Sequence, residues 1–338
     1  MLAVGYQKSL PIDDAKALVD IELPEPVASG HDILVEIKAV SVNPVDTKVR
    51  MRAEAEPGSY KVLGWDAAGV VVATGDQVTR FKAGDEVFYA GDLTRQGTNA
   101  QLHLVDERIV GKKPASLTFA EAAALPLTAI TAWETLFDRL KISNDPVAGA
   151  APAIVIIGGA GGVGSIAVQL VRQLTDLTVI ATASRPETRE WVENLGAHHV
   201  VDHSKPLAAE VAALGLGQPA FVFSTTNTEA HLAEIAELIA PQGRFALIDD
   251  PKSLDISVLK RKSISVHWEF MFTRSMFQTT DIEEQHRLLS RVSELVDAGT
   301  LKTTLGDTFG KINAENLRKA HAFIETGKAR GKVALEGF

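Results

Sequence analysis

AIVIIGGAGGVGSIAVQLVRQL, residues 153–174, joins two hydrophobic patterns of different period through a glycine-rich turn. Ala153 to Ile157 is continuously apolar and mostly β-branched, as a strand buried on both faces requires. From Val163 onward the apolar residues recur on one helical face. Between them Gly159-Ala160-Gly161-Gly162-Val163-Gly164 has the spacing GxGxxG. In a strand-turn-helix, Gly159 is expected to allow the tight turn, Gly161 to let the backbone approach a pyrophosphate, and Gly164 to let helix and strand pack closely. Ala160, Gly162 and Val163 complete the turn, and the first helical amides, aligned with the helix dipole, would bind the anion. The same residues have the outer glycine spacing of a triphosphate-binding loop, but Ser165 stands where that loop needs lysine, which excludes it. Val147 to Val171 carries no charge and is long enough to suggest a membrane span of about 20 residues. The glycine spacing fits strand-turn-helix better.

Outward from this segment, strand-like runs alternate with helical ones: LTVIATAS, PETREWVENLG, HHVVD, a helix near 207–214, AFVFS, EAHLAEIAELI and GRFALI. That alternation predicts right-handed crossovers and a parallel, doubly wound α/β sheet. Residues 1 to about 115 read differently, as antiparallel β, with DILVEIK alternating and AAGVVVATG followed by glycine turns. A helix is expected after Thr118, which has Glu121 at capping-box spacing, and Pro126 should kink or divide it. The chain closes with a strand SISVHWEF, a helix EEQHRLLSRVSELVDAG, a polar helix AENLRKAHAFIETG and a strand KVALEGF that returns to the first domain. The expected division is 1–125 completed by about 275–338, with 126–274 as the dinucleotide-binding domain.

Which dinucleotide binds is set at the end of the second strand, about 20 residues past the glycines, where an acid would hold the adenosine ribose diol. Here the residues are Ala183-Ser184-Arg185-Pro186, a hydroxyl and a guanidinium with no carboxylate. Such a pair suits a 2′-phosphate, so NADPH is expected over NADH. The alternative is that Arg185 is a solvated charge at a helix start; Arg189 could share either role.

Composition removes other classes. The net charge of −9 repels phosphate backbones and anionic lipid, so neither nucleic acid nor membrane is an expected partner. With no cysteine there are no disulfides, thiol nucleophiles or thiolate metal sites. The opening MLAVGYQKSLPIDD lacks the apolar core of a secretory signal, and cytoplasmic residence is expected. Tyr6, Tyr60 and Tyr89 are followed at the fourth position by Leu10, Gly64 and Leu93, which excludes a Tyr-xxx-Lys reductase site. His198, His199 and His203 cannot share an ion if alternate strand residues face opposite sides.

VNPVDTKVR (42–50), GWDAAGVVVATGDQVTRFKAGDEV (64–87), EAAALPLTAITAWETL (121–136), the glycine turn and NLGAHHVVDH (194–203) together resemble the medium-chain dehydrogenase/reductase superfamily, in its zinc-free quinone oxidoreductase branch. The resemblance spans essentially the whole chain. It implies a GroES-like catalytic domain built from both chain ends, a Rossmann domain between, and a homodimer. Zinc members carry ligands where this chain has Val45-Asp46-Thr47 and Trp65-Asp66, and the third ligand cysteine has no counterpart. Catalytic zinc needs three protein ligands, so no metal is expected. The resemblance places Asn43 and Thr128 at the nicotinamide end of the cofactor, and Ser184, Arg185 and His203 around the adenosine phosphate. A tyrosine often follows the NPxDT run in this branch; here it is Lys48.

Without a metal to stabilise an alkoxide, simple alcohol oxidation loses its main electrostatic aid, whereas conjugate reduction of a quinone or α,β-unsaturated carbonyl needs only orientation and a donor to one oxygen. Lys48, or a ribose hydroxyl or water held near Asn43, is the expected donor; Lys48 could instead position groups or contact the cofactor. His267-Trp268-Glu269-Phe270-Met271-Phe272 could wall a substrate cleft or form a dimer-edge strand. Two alternatives stay open: an NADPH-binding sensor or structural protein without turnover, and a zinc alcohol dehydrogenase.

Overall fold

The computed structural model describes residues 1–143 and 147–338, and contacts divide them into two compact units, Met1–Ile130 with Phe272–Phe338, and Thr131–Met271. The first unit is built from β1 (Leu2–Tyr6), β2 (Val19–Glu22), β3 (Asp32–Val42), α1 (Pro44–Arg52), β4 (Lys61–Val62), β5 (Ala67–Thr74), β6 (Glu86–Tyr89), β7 (Leu102–Asp106), β8 (Val110–Lys112) and α2 (Phe119–Ala123). The helix α3 (Pro126–Trp133) follows. Pro126 divides α2 from α3 as expected, and Thr118 and Glu121 cap α2 reciprocally.

The second unit holds β9 (Ala151–Ile157), α4 (Gly162–Leu174), β10 (Thr178–Thr182), α5 (Pro186–Asn194), β11 (His199–Val201), α6 (Leu207–Ala212), β12 (Pro219–Ser224), α7 (Thr228–Leu238), β13 (Arg244–Leu247) and β14 (Ser265–Trp268). Every strand pair is parallel, in the order β11-β10-β9-β12-β13-β14. Numbered along the chain this is 3-2-1-4-5-6, the Rossmann order, with its switch point between β9 and β12. Val155, Ile157, Ile180, Val222, Ile235 and Phe245 form one buried core on the sheet. β9 reads as a continuous apolar run because helices cover both faces.

The chain then returns to the first unit through α8 (Thr273–Met276), α9 (Glu284–Asp297), β15 (Leu305–Thr308), α10 (Ala314–Glu325) and β16 (Lys332–Glu336). β16 pairs antiparallel with β3, inside a sheet ordered β15-β16-β3-β5-β6-β8 with β7 also on β3. Apart from the parallel pair β15–β16 this sheet is antiparallel, and the whole is a mixed α/β fold.

Two elements differ from the sequence reading. α1 stands inside the region read as β; Asn43 precedes it, Pro44 opens it, and the Asn43 backbone amide donates to Asp46 Oδ2 at 2.6 Å. After α3 the helix widens to a π-turn over Glu134–Arg139, where Leu140 donates to the carbonyl of Thr135 and the Thr135 hydroxyl donates to that of Thr131.

Candidate functional site

The glycine turn leaves the carboxyl end of β9 and opens α4. The residue of this turn that needs the left-handed backbone is Gly158, φ +80°, just ahead of the motif. Gly159 is required by packing instead, since a Cβ there would lie 2.9 Å from the Ala181 Cβ. At Gly164 a Cβ would lie 2.2 Å from the Gly158 carbonyl oxygen, so helix and turn meet backbone to backbone. A Cβ at Gly161 meets only the Gly158 oxygen at 3.5 Å, and Gly161 caps α4 without any side-chain hydrogen bond. Open space in front of uncapped helical amides fits a phosphate group. By contrast α7 is closed by a carboxylate: Asp249 accepts from the Thr228 amide at 2.9 Å and from its hydroxyl.

Beside this turn the structure gathers the expected adenosine-side residues at the carboxyl ends of β10 and β11. Thr182 Oγ1 accepts from the Gly158 amide at 3.0 Å and is hydrogen-bonded to His203 Nδ1, also at 3.0 Å. Burial holds the His203 pKa below its ordinary value, so the neutral form persists near neutrality. Ser184 is exposed, and Arg185 precedes α5 with its Nε 3.4 Å from Glu187 Oε1. Arg189 is used differently, donating to the Val200 carbonyl at 3.0 Å and tying α5 to β11. His198 accepts from the Val179 amide at 2.9 Å, so the neighbouring histidines serve separate partners.

In the other unit, the start of α1 meets a buried polar cluster that sequence spacing did not reveal. Asp66 accepts from the Leu127 amide at 2.7 Å, from Asn43 Nδ2 at 2.8 Å, and lies 3.1 Å from Lys332 Nζ. Lys332 also donates to the Val42 carbonyl at 3.0 Å and to Asn43 Oδ1. Burial raises the Asp66 carboxyl above the usual carboxylate range, against the pull of Lys332 and the amides. The Asp46 carboxyl is pushed up to about 7 by burial, with the Asn43 amide and Lys332 opposing. Thr128 is buried on α3, its hydroxyl donating to the Leu125 carbonyl at 3.1 Å. Lys48 is half-buried on the helix that Asn43 precedes.

These contacts decide the metal question chemically. Asp46 and Asp66, the two residues able to offer a ligand at the positions where zinc members carry theirs, are buried, Asp46 taking the Asn43 amide on Oδ2 and Asp66 engaged by Leu127, Asn43 and Lys332. Trp65 is locked by a 3.2 Å bond from Nε1 to the Asp92 carbonyl and an edge-on contact with Phe272. Among the described residues no group of three or more His, Asp or Glu is placed to hold a metal. The residues present do not fit catalytic zinc.

The aromatic segment after Ser265 forms the edge strand β14, which ends at Trp268, shorter than the expected run to Phe270. It ends there because the Glu269 side chain turns inward, fully buried, to Arg139 Nε at 2.8 Å. Trp268 and Phe270 remain 54% and 47% exposed.

Known proteins resemble this chain over its whole length. Residues 29–133 match the model of the alcohol dehydrogenase GroES-like domain, and residues 195–335 that of the zinc-binding dehydrogenases. A zinc-type alcohol dehydrogenase-like protein of Staphylococcus aureus is 40% identical over 336 residues, 99% of each chain. The 2-methylene-furan-3-one reductase of Solanum lycopersicum is 27% identical, covering 99% of this chain and 79% of its own. A Rhizobium etli crystal structure, provisionally described as a zinc-dependent alcohol dehydrogenase, superposes with a TM-score of 0.98 at 68% identity, over 100% of this chain and 98% of its own.

Proposed function

Because this chain belongs to the medium-chain dehydrogenase/reductase superfamily and is an oxidoreductase of that kind, we propose that it is an NADPH-dependent reductase of quinones or α,β-unsaturated carbonyl compounds, working without metal. The observation that carries the cofactor choice is the residue set past β10: Ser184 and Arg185 stand where an NADH-specific site needs a carboxylate. The amides opening α4 would hold the diphosphate, and Ser184, Arg185 and His203 the 2′-phosphate. Asn43 and Thr128 would contact the nicotinamide end.

Bound in this way, reduced nicotinamide supplies a hydride to the conjugated carbon of the acceptor. The chain must then stabilise negative charge on the acceptor oxygen until a solvent proton completes reduction. Lys48 is our candidate donor to that oxygen, or a water held by Asn43. The substrate in the tomato relative's name, a methylene-furanone, conjugates a carbon–carbon double bond with a ketone, which supports an enone-type acceptor. We further propose a homodimer in which the edge strand β14, with exposed Trp268 at its end and exposed Phe270 just beyond it, pairs with the same strand of a second copy.

The test is NADPH oxidation by purified protein against a panel of quinones, enones and simple aldehydes. Turnover with quinones or enones but not simple aldehydes is expected, and Lys48→Ala should lower it by about tenfold or more. Binding without turnover on the whole panel would favour the sensor alternative. Unchanged turnover in Lys48→Ala on every accepted substrate would remove Lys48 from the mechanism.

A further inference from the structure

The guanidinium at the adenosine side already has an anionic neighbour. Glu187 stands in the first turn of α5, two residues past Arg185, with its Oε1 3.4 Å from the Arg185 Nε. A carboxylate suits that position for the helix's own sake, because the first-turn amides and the dipole favour negative charge there. The backbone at Arg185 is held in place: Thr188 Oγ1 accepts from the Arg185 amide at 3.2 Å and donates to its carbonyl at 2.8 Å. Both side chains of the pair reach solvent, 38% exposed for Arg185 and 55% for Glu187, so a ligand can meet them. The next cation along the helix is committed elsewhere, Arg189 donating to the Val200 carbonyl at 3.0 Å and the Ala183 carbonyl at 3.5 Å. His203, which burial keeps neutral near neutrality, adds no charge.

We propose that Glu187 is a specificity-determining residue that works against NADPH: its carboxylate competes for Arg185 and narrows the preference for the phosphorylated coenzyme over NADH. A 2′-phosphate meets Arg185 in one of two ways. It displaces Glu187 and loses the pair, or it shares the guanidinium and lies beside a second negative charge. Both oppose binding. NADH presents a neutral ribose hydroxyl at the same place, and neither cost applies to it. The pair is exposed and its charges are screened by water and salt, so the effect is a few-fold and not orders of magnitude. Ser184 and Arg185 still favour NADPH, and Glu187 sets how far. This inference rests on the reading that Ser184, Arg185 and His203 receive a 2′-phosphate.

Calorimetry on wild type, Glu187→Gln and Glu190→Gln tests it, with NADPH, NADH, 2′,5′-ADP and 5′-AMP as ligands. Glu190 is also exposed on α5, one turn further on, and its substitution makes the same change in net charge. The two short nucleotides isolate the adenosine side from the nicotinamide. Glu187→Gln should bind NADPH and 2′,5′-ADP about threefold to tenfold more tightly than wild type, with NADH and 5′-AMP within about twofold. Glu190→Gln should shift NADPH by less than about twofold. Unchanged or weaker NADPH binding by folded Glu187→Gln overturns the proposal. Equal tightening in the two variants overturns it as well, since net charge alone would then account for the effect. Wild type that binds neither NADPH nor 2′,5′-ADP contradicts the proposed cofactor and this inference with it, whereas wild type that binds both, with Glu187→Gln indifferent, contradicts this inference alone.

Discussion

Gly161 and Gly164 lie in one turn and answer to different requirements. A side chain at Gly164 drives into the Gly158 carbonyl, whereas one at Gly161 enters open space before α4. Gly164→Ala is expected to destabilise the protein by about 1–3 kcal/mol through overpacking. Gly161→Val should leave thermal stability within about 1 kcal/mol and weaken NADPH binding at least about tenfold by blocking the phosphate approach. Thermal unfolding and calorimetry on the two variants separate the roles, and equal effects on both measurements would contradict them. The motif was readable from spacing because its parts are adjacent in the chain. The partnership of Asn43 with Lys332 was not, since 289 positions separate them and only the pairing of β16 with β3 brings them together. GxGxxG records where glycine is needed without recording which residue carries the positive φ, which is Gly158, just ahead of the motif.

At the scale of elements, α1 and α10 carry opposite pH responses. His321, on α10, is fully buried, neither ring nitrogen has a hydrogen-bond partner among the described residues, and burial beside Arg50 pushes its pKa down to about 3. As pH falls below the ordinary value of about 6.5, the unfolded chain takes up a proton that the folded chain refuses. Stability then drops by about 1.4 kcal/mol per pH unit until the folded pKa is reached. Asp46, on α1, runs the other way: its folded pKa of about 7 lies above the unfolded value, so the folded state holds the extra proton and stability is lost as pH rises from about 4 toward 7. His321→Leu should therefore flatten the acid limb of a melting-temperature profile, and Asp46→Asn the limb approaching neutrality. Profiles parallel to wild type would show that these groups do not titrate as their burial implies. The existence of α1 was available in the sequence, because Asn43, Pro44 and Asp46 form a helix-start signature, but the surrounding β pattern masked it. The π-turn was not, since a single widened turn leaves no distinct periodicity in the sequence.

For the whole molecule, the strict alternation of strand and helix after residue 150 made the parallel sheet readable, and the order 3-2-1-4-5-6 follows from right-handed crossovers on either side of β9. Periodicity could not say whether the aromatic run after Ser265 would face a ligand or a sheet edge, because both uses need the same exposed apolar side chains. The edge position of β14 favours a second copy, and sedimentation should show a dimer that Trp268→Glu/Phe270→Glu weakens; a monomeric wild type at micromolar concentration would contradict the pairing. No described helix is long and apolar enough to cross a membrane, and the charge-free stretch from Val147 to Val171 is divided between β9 and α4. The central claim is that the turn opening α4 holds the diphosphate of a dinucleotide whose 2′-phosphate meets Arg185. Calorimetric titration of wild type and Arg185→Ala with NADPH and with NADH tests it most directly. The expected result is tight NADPH binding by wild type, weakened about tenfold or more by Arg185→Ala, with NADH weaker and indifferent to the substitution; no heat with either coenzyme on well-folded wild type would contradict the claim.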